Sequence, residues 1–418
     1  MRLGRLLVGA AACAAACATV LVPALAAAEV PRRTVAVSEP AALFDVVAGP
    51  ANDDGYQLGR QLLPAAGIAP LDGTAPAVAA SRTVYLNKNG VTLTPGTNDS
   101  RLNRSTVVTQ QVSIPPWSAS ASTWSEIVTC MREVFAPFNV SIVDSDPGDV
   151  PHIEAVFGGT PTLLGVATNL AGVSPFTSDC AVIESSIVFT FTGVLPADPR
   201  LLCEVQAQEV AHSYGLDHVL LASDLMTYLP HEGRRWFQNM NASCGEDKAR
   251  PCGLNGSTCR QTQNSVSLLI ERVGMRAQAG DAVPPTLAIT SPYNGETVPP
   301  TFAVKFNASD NAKVLMTSLY IDGVASGSAV MAPLAIATPG GLTEGTHKLR
   351  LVATDGLNES SQEIAVTVKQ GAAAPAGQED DVMGGCAAGR GGASAGAGLA
   401  LALGAALGRS RRRRRPRG

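Results

Sequence analysis

Residues 208–228 read QEVAHSYGLDHVLLASDLMTY, and the spacing of their polar residues is the most informative pattern in the chain. If it begins as a helix, positions 208 and 212 lie one turn apart on the same face. Gln208 and His212 can then bind one ion together, while Glu209 reaches a water on that ion. The spacing therefore predicts a metal-binding helix that carries a carboxylate placed for proton transfer.

The residues after this helix complete the pattern. Gly215 allows the backbone to leave the helix at positive φ, which brings His218 round as a third ligand from a non-helical segment. Met226 follows His218 by eight residues, and Tyr228 lies two residues further on. The stretch thus predicts three metal ligands followed by a methionine-containing turn.

The stretch resembles the metzincin zinc endopeptidases, whose signature is HExxHxxGxxH followed by a methionine turn. Five positions match residue for residue: Glu209, His212, Gly215, His218 and, at the turn, Met226. The resemblance covers roughly residues 80–275. It implies one zinc ion, Glu209 as general base, and a turn methionine that lies beneath the metal without binding it. It also implies that Tyr228 donates to the oxyanion, and that the substrates are proteins or peptides.

One position departs from the signature, because Gln208 stands where the family has its first histidine ligand. An amide oxygen is neutral and hard, so it is a poorer zinc ligand than imidazole. Mutating a residue that only contacts a metal ligand already weakens metal binding by ~10–100-fold. Replacing a ligand itself should weaken zinc binding at least as much. His231 is a candidate replacement, and so is Asp217, although Asp217 is more typical of a cap or a solvent-facing residue. His152 and His347 are predicted to be ordinary surface histidines.

This departure leaves three functions open. The first is an exported metalloendopeptidase with a Gln/His/His zinc site, and the second is an inactive metzincin-like pseudoprotease that binds proteins or peptides. The third is an adhesin or structural surface protein in which the motif is an ordinary helix. Zinc content separates the first function from the other two. For an active enzyme, residues 153–157 are the candidate edge strand along which a substrate peptide would extend.

The sequence around the motif predicts an α/β domain, metzincin-like and of the α+β kind, over residues 79–276. Strands are predicted at residues 83–87, 140–143, 153–157 and 187–191, and helices at residues 123–136, 199–214 and 266–273. Thr123 and Glu126 have the spacing of a capping box at the start of the first helix. The motif would lie on the second helix.

A pair of prolines, Pro284 and Pro285, marks a domain boundary. Beyond it, short alternating apolar runs separated by Gly, Asn and Asp predict an all-β sandwich over residues 284–369. This region resembles bacterial immunoglobulin (Ig)-like modules. It shows no binding signature, so its simplest role is a spacer that holds the first domain away from the membrane. Residues 370–385 form a second spacer, rich in Gly, Ala and Asp.

The N-terminus predicts export. Residues 1–28 combine two arginines, a long apolar run and small residues suited to signal-peptidase cleavage. Residues 29–78 contain many Ala, Pro and Gly with little periodicity, and are either a linker or a pro-segment. The protein is therefore expected outside the inner membrane, at the cell surface or in the outer envelope, or released.

The C-terminus, residues 386–418, has Cys386, an apolar run and seven arginines among the last ten residues. The run is just long enough to span a bilayer, with the arginines in the cytoplasm. One reading is a transmembrane anchor. The other is a resemblance to the tripartite sorting signal of myxobacteria, which implies that the tail is removed and that Cys386 becomes the attachment point to the cell envelope.

Six cysteines lie between the two ends: Cys130, Cys180, Cys203, Cys244, Cys252 and Cys259. An even number in an exported chain predicts up to three disulfides, and fifteen pairings are open. A four-cysteine zinc site is disfavoured because the sequence contains no CxxC pair among them.

Composition excludes nucleic acid as a partner. Charged residues make up 16% of the chain against a usual value of about 25%. The net charge of −4 conceals ten arginines at the two ends, without which 21 basic residues face 35 acidic ones and the net charge is −14. Binding to nucleic acid needs a basic surface. Oligomeric state is not indicated.

Overall fold

A computed structural model of the chain describes residues 46–48, 57–63, 81–166, 169–254, 258–277, 280–330 and 334–375. The first two segments are described by their backbone alone. The predicted signal peptide, most of the second spacer and the predicted C-terminal tail with Cys386 lie outside these residues. Within the described part of the chain, no helix is long and apolar enough to cross a membrane.

The N-terminal part, up to residue 277, is a mixed α/β structure. Its strands are β1 Val46–Ala48, β2 Gln57–Leu63, β3 Thr83–Asn87, β4 Val91–Pro95, β5 Arg104–Ser105, β6 Val112–Ile114, β7 Ser141–Val143, β8 His152–Phe157, β9 Leu170–Thr177, β10 Ile187–Thr190, β11 Ala242–Ser243 and β12 Thr262–Gln263. Its helices are α1 Ala121–Val134, α2 Pro199–Ser213 and α3 Ser265–Val273.

Seven strands form one sheet in the order β1-β2-β9-β10-β8-β3-β7. Neighbours among β10, β8, β3 and β7 are parallel, whereas β9 runs antiparallel to β10. The edge of β9 is covered by β2, which pairs with it in parallel and places Leu58 opposite Gly172. β8 lies in the middle of the sheet between β3 and β10. The prediction that residues 153–157 form an edge strand is therefore wrong.

Helices α1 and α2 share one large apolar core with the sheet. α1 is amphipathic and buries one stripe, with Ile127 and Met131 fully inside. α2 instead has buried residues on every side from Leu202 to Ser213, since it lies between the sheet and the turn that follows it. A disulfide between Cys130 and Cys203 joins the two helices. Residues 208–213 of the motif thus lie on a helix that is packed on all sides.

The helix starts follow ordinary capping chemistry. The Asp198 carboxylate accepts the Leu201 N–H at 3.0 Å, and Pro199 occupies the first turn of α2. On α1 the cap is Ser120, whose hydroxyl accepts the Thr123 N–H at 3.0 Å. The predicted capping box that begins at Thr123 is therefore wrong, because this residue already lies inside the helix.

The C-terminal part is β-rich and Ig-like. Its strands are β13 Thr286–Ser291, β14 Thr297–Val298, β15 Ala303–Ser309, β16 Met316–Ile321, β17 Val324–Ala329, β18 Ala335–Ala337, β19 Gly345–Thr354 and β20 Glu359–Val368. They form a sheet of order β13-β15-β18 and a sheet of order β14-β20-β19-β16-β17. Apolar side chains of both sheets meet in one buried cluster, as a sandwich requires.

The two parts are joined by residues 237–240, here called the docking segment. The Gly327 N–H on β17 donates to the Asn239 carbonyl at 3.2 Å, and an isolated β-bridge follows. The Asn239 side chain donates to the Ser318 hydroxyl at 3.1 Å. The docking segment therefore pairs with the edge of the sandwich like a short additional strand.

All six cysteines of the described region are paired, as Cys130–Cys203, Cys180–Cys259 and Cys244–Cys252. The prediction of up to three disulfides is confirmed. The prediction of two surface histidines is wrong, since His152 is 2% exposed and His347 is 9% exposed. His152 Nδ1 contacts the Val150 carbonyl at 2.7 Å, and His347 lies between the Asp322 carboxylate and a carbonyl. Both rings are held by hydrogen bonds in the interior.

Candidate metal centre

The end of α2 brings the motif residues together. Gly215 has φ of +81° and ends the helix, and a Cβ at this position would lie 2.2 Å from the Cys180 carbonyl oxygen. Only glycine fits both the backbone angle and the space. The chain then turns back so that His218 approaches His212, and both side chains are buried.

His212 and His218 are arranged like two ligands of one cation. Their Nε2 atoms are 3.0 Å apart. His212 Nδ1 contacts the Leu216 carbonyl at 2.7 Å, and His218 Nδ1 contacts the Glu246 carboxylate at 3.2 Å. Since a carbonyl and a carboxylate can only accept, each Nδ1 carries the proton in the neutral ring and each Nε2 is an acceptor.

Two acceptor nitrogens at this distance need a positive charge next to both, which either a proton shared by the rings or a metal ion supplies. A zinc ion bound at about 2.0–2.1 Å from each nitrogen satisfies both rings. The same pattern, a ring whose far nitrogen donates to a carbonyl or carboxylate, is typical of metal-binding histidine. The donor set of His212 and His218 therefore fits zinc.

The Glu209 side chain extends from α2 toward the sheet. Its side chain is fully buried. A Cβ at Gly172 on β9 would lie 2.6 Å from Glu209 Oε1 and 2.8 Å from the Phe189 carbonyl oxygen, so the carboxylate fills the space that a larger residue would take. The absence of a side chain at Gly172 thus lets the acid approach the strand next to the histidines.

Met226 and Tyr228 lie in the turn that faces α2. Met226 is fully buried, and its carbonyl accepts the Val219 N–H at 2.8 Å. The Asp224 carboxylate accepts the Met226 N–H at 2.8 Å, and burial raises the pKa of Asp224 to about 6. The Tyr228 ring lies 4.2 Å from the His218 ring, measured between centroids. The structure thus brings Tyr228 beside the histidine pair.

Gln208 lies one turn before His212 on the same helix face and is 1% exposed. Its Nε2 atom has no hydrogen-bond partner among the described residues. Gln208 and Tyr228 both line a small cavity of about 70 Å³, whose other walls include Leu201, Val205 and Leu225. The Gln208 amide therefore borders a mainly apolar cavity next to the candidate centre.

Neither predicted replacement ligand joins this arrangement. His231 lines a separate groove together with Trp236. The pKa of His231 is lowered, mainly by burial and secondly by the positive charge of Arg235. Asp217 does not face solvent, as one prediction had it, because it is fully buried. The Arg250 guanidinium donates to its carboxylate at 2.6 Å. The Asp217 carboxylate lies within 4.8 Å of a His218 ring nitrogen, but it is engaged by Arg250.

Three residues of the site are not apparent from the motif: Gly172, Glu246 and Arg250. Gly172 lies on β9, a strand that the sequence does not predict. Glu246 and Arg250 lie within the short Cys244–Cys252 loop, which the cysteine spacing alone does not identify as closed. The available signal was a pair of opposite charges four residues apart between two close cysteines.

Comparisons with known proteins support the C-terminal part of the fold. A family model described as a bacterial Ig domain matches residues 285–351, which confirms the Ig-like prediction for that region. No curated protein matches the chain.

Solved structures similar to parts of the chain have low scores. Fibronectin(III)-like modules of Clostridium thermocellum CbhA give a TM-score of 0.19 at 23% identity, over 21% of this chain and 48% of that one. An endo-β-1,4-mannanase from Thermotoga petrophila gives 0.18 at 12% identity, over 30% and 29%. A Jonesia denitrificans lytic polysaccharide monooxygenase gives 0.16 at 14% identity, over 19% and 60%. The chain spans less than two thirds of each, and these scores carry no argument about its activity.

Proposed function

We propose that the α/β part is an exported, surface-attached zinc metalloendopeptidase of metzincin type, in which Gln208, His212 and His218 hold the ion. The observation that carries the proposal is the 3.0 Å approach of the two Nε2 atoms, with each Nδ1 next to an acceptor. Glu209 follows Gln208 directly on the buried part of α2, as the motif requires.

The roles of the other residues follow from their positions. Zinc, when bound, lowers the pKa of a coordinated water and polarises a carbonyl group. Glu209, held against Gly172, would take the proton of the attacking water and pass it to the leaving amine. Tyr228, next to His218, would donate to the oxyanion.

The surroundings favour a peptide as substrate. The cavity beside Gln208 is lined by leucine and valine side chains, and Glu204 and Arg235 form an ion pair at 3.0 Å in its wall. A volume of about 70 Å³ suits a small apolar side chain. A peptide backbone would pair with the edge of β9, the strand that contacts Glu209, once that edge is accessible.

Zinc content and peptide hydrolysis together test this proposal. The protein from residue 29 to residue 385 is dialysed against trace zinc, and its metal is counted by elemental mass spectrometry. We expect close to one zinc per chain and cleavage of a mixed peptide library. Glu209→Gln should keep the zinc and lose the cleavage, because it removes the base and spares the ligands. Cleavage at the wild-type rate in that variant would exclude Glu209 as the base.

Gln208→His separates an active enzyme from an inactive relative. Imidazole is a better zinc ligand than an amide oxygen, so zinc affinity and any peptidase activity should rise by at least about tenfold. Glu232→His adds an exposed histidine outside the candidate centre and serves as the control. If the wild type binds no zinc but Gln208→His does, the natural protein is the peptide-binding pseudoprotease. If neither binds zinc, the metal centre is refuted.

A further inference from the structure

A disulfide loop, residues 244–252, lies against one of the two histidines. It is closed by the Cys244–Cys252 bond and contains Glu246 and Arg250. The loop pairs with the segment that contains His218, because the Gly245 N–H donates to the His218 carbonyl at 3.0 Å. Backbone pairing and the disulfide together fix where the loop side chains lie.

Arg250 holds the Glu246 carboxylate in place. Its Nη2 donates to Glu246 Oε1 at 2.7 Å, and its Nη1 donates to Asp217 Oδ2 at 2.6 Å. Burial alone would lower the pKa of Arg250, but the hydrogen bonds and charges of these two carboxylates raise it. The guanidinium thus balances the charges of Asp217 and Glu246, the two acids that lie next to His218.

Glu246 is the acceptor for His218 on the side away from His212. The distance from Glu246 Oε1 to His218 Nδ1 is 3.2 Å, while His218 Nε2 faces His212. A neutral imidazole has one donor and one acceptor nitrogen, and an acceptor beside Nδ1 selects the form with the proton there. The ring orientation and the position of its proton are therefore coupled to the loop.

We propose that Glu246 is a positioning residue that fixes His218 as the Nδ1–H tautomer and directs its Nε2 lone pair at the metal centre. A carboxylate behind a histidine also strengthens the histidine as a ligand. This compensates for Gln208, which offers only a neutral oxygen. The purpose of the arrangement rests on the proposed metal centre, whereas the tautomer is a property of the protein without metal.

The tautomer is measured on the metal-free protein, residues 29–385, labelled with ¹⁵N. Long-range proton–nitrogen correlation spectra at about pH 8, above the ordinary histidine pKa of about 6.5, identify the protonated ring nitrogen. We expect Nδ1–H for His218 in the wild type and a shift toward Nε2–H in Glu246→Ala. Glu246→Gln should keep Nδ1–H, because an amide oxygen still accepts. Arg250 retains Asp217 as a partner in both variants, which favours folding of the loop.

Zinc affinity, from competition with a chelator, is the second readout. Glu246→Ala should raise the zinc dissociation constant by about 10–100-fold, and Glu246→Gln by less. Glu133→Ala is the matched control: it removes an ion pair with Arg234 at 2.7 Å, and Glu133 is as shielded as Glu246, at 21% against 17% exposed. It should change neither readout.

The outcomes separate the two proposals. An Nε2–H tautomer in the wild type, or a Glu246→Ala protein whose tautomer matches that of Glu133→Ala, overturns the role of Glu246. If the wild type shows Nδ1–H and loses it in Glu246→Ala but binds no zinc, the positioning role stands and the proposed enzyme function fails.

Discussion

At the scale of single residues, the charge on Glu154 should make stability depend on pH. Glu154 lies on the central strand β8, is 3% exposed, and accepts a hydrogen bond from Asn87 at 2.7 Å. Burial raises its pKa to about 7, although the bond from Asn87 acts in the opposite direction. In the unfolded chain the pKa is about 4.3. The folded state therefore binds the extra proton between these values, and stability falls as pH rises from about 4.3 to about 7.

Glu154→Gln should remove this dependence, because the amide is uncharged and still accepts from Asn87. Above pH ~7 the variant should be more stable than the wild type by up to about 3 kcal/mol, and near pH ~4 the two should be similar. Denaturant unfolding across this range gives the comparison. Glu363→Gln, on the exposed face of β20, is the control and should leave the slope unchanged. A wild type whose stability rises over the same range would contradict the assignment.

The same scale shows what the sequence reveals about the site. Spacing on a helix and one glycine place His212 and His218 near each other, because both features act over a few residues. Glu246 and Arg250 reach the site only through the pairing of distant backbone segments and a disulfide. No local pattern encodes such a contact, so the positioning of His218 had to come from the structure.

At the scale of elements, the start of α1 shows why the sequence predicts Thr123 as the cap when Ser120 is the cap. The segment before the helix has serines at 118, 120 and 122, and any of them can accept a first-turn N–H. In the structure Ser120 does so. Ser120→Ala should lower stability by about 1 kcal/mol, whereas Thr123→Ala should cost less, because alanine is a good residue inside a helix. Thermal unfolding of the two variants decides, and a larger loss for Thr123→Ala would restore the capping box.

Strand β9 was missed because Gly172 and Pro175 interrupt its apolar pattern, and both residues are unfavourable in isolated strands. Long-range pairing with β10 and β2 forms the strand nevertheless. The strands found from sequence, such as β3 and β10, contain short apolar runs without glycine or proline. Local propensity is thus a poor guide to β9, the strand that contacts Glu209.

Pairing between β2 and β9 predicts that the N-terminal segment restrains the proposed enzyme. β2 occupies the whole edge of β9 from Leu170 to Thr177. A peptide cannot add to an edge that is already paired. Deleting residues 29–78 should therefore raise kcat/KM for peptides several-fold without changing zinc content. Lower activity together with a lower unfolding temperature would show instead that β1 and β2 are integral strands of the sheet.

At the scale of the whole molecule, the sandwich has a structural role that a plain spacer lacks. The docking segment is attached on one side to β17 and on the other to the turn of the candidate centre, since the Asp224 carboxylate accepts both the Met226 N–H and the Gln238 N–H. Two more backbone bonds join Trp236 to the same turn. The Ig-like part is therefore linked by hydrogen bonds to the turn that carries Met226 and Tyr228.

Asn239→Ala tests this link. Asn239 is 8% exposed and joins Ser318 of the sandwich to Asn264 at the start of α3, at 3.1 and 2.8 Å. Its removal leaves buried partners unpaired, which should cost about 1–3 kcal/mol and separate the unfolding of the two parts into two transitions. Asn307→Ala, on an exposed position of β15, should leave a single transition. Zinc affinity should fall as well, because the turn that carries Met226 and Tyr228 loses its support. Two transitions already present in the wild type would mean that the parts fold independently and that the sandwich does not support the site.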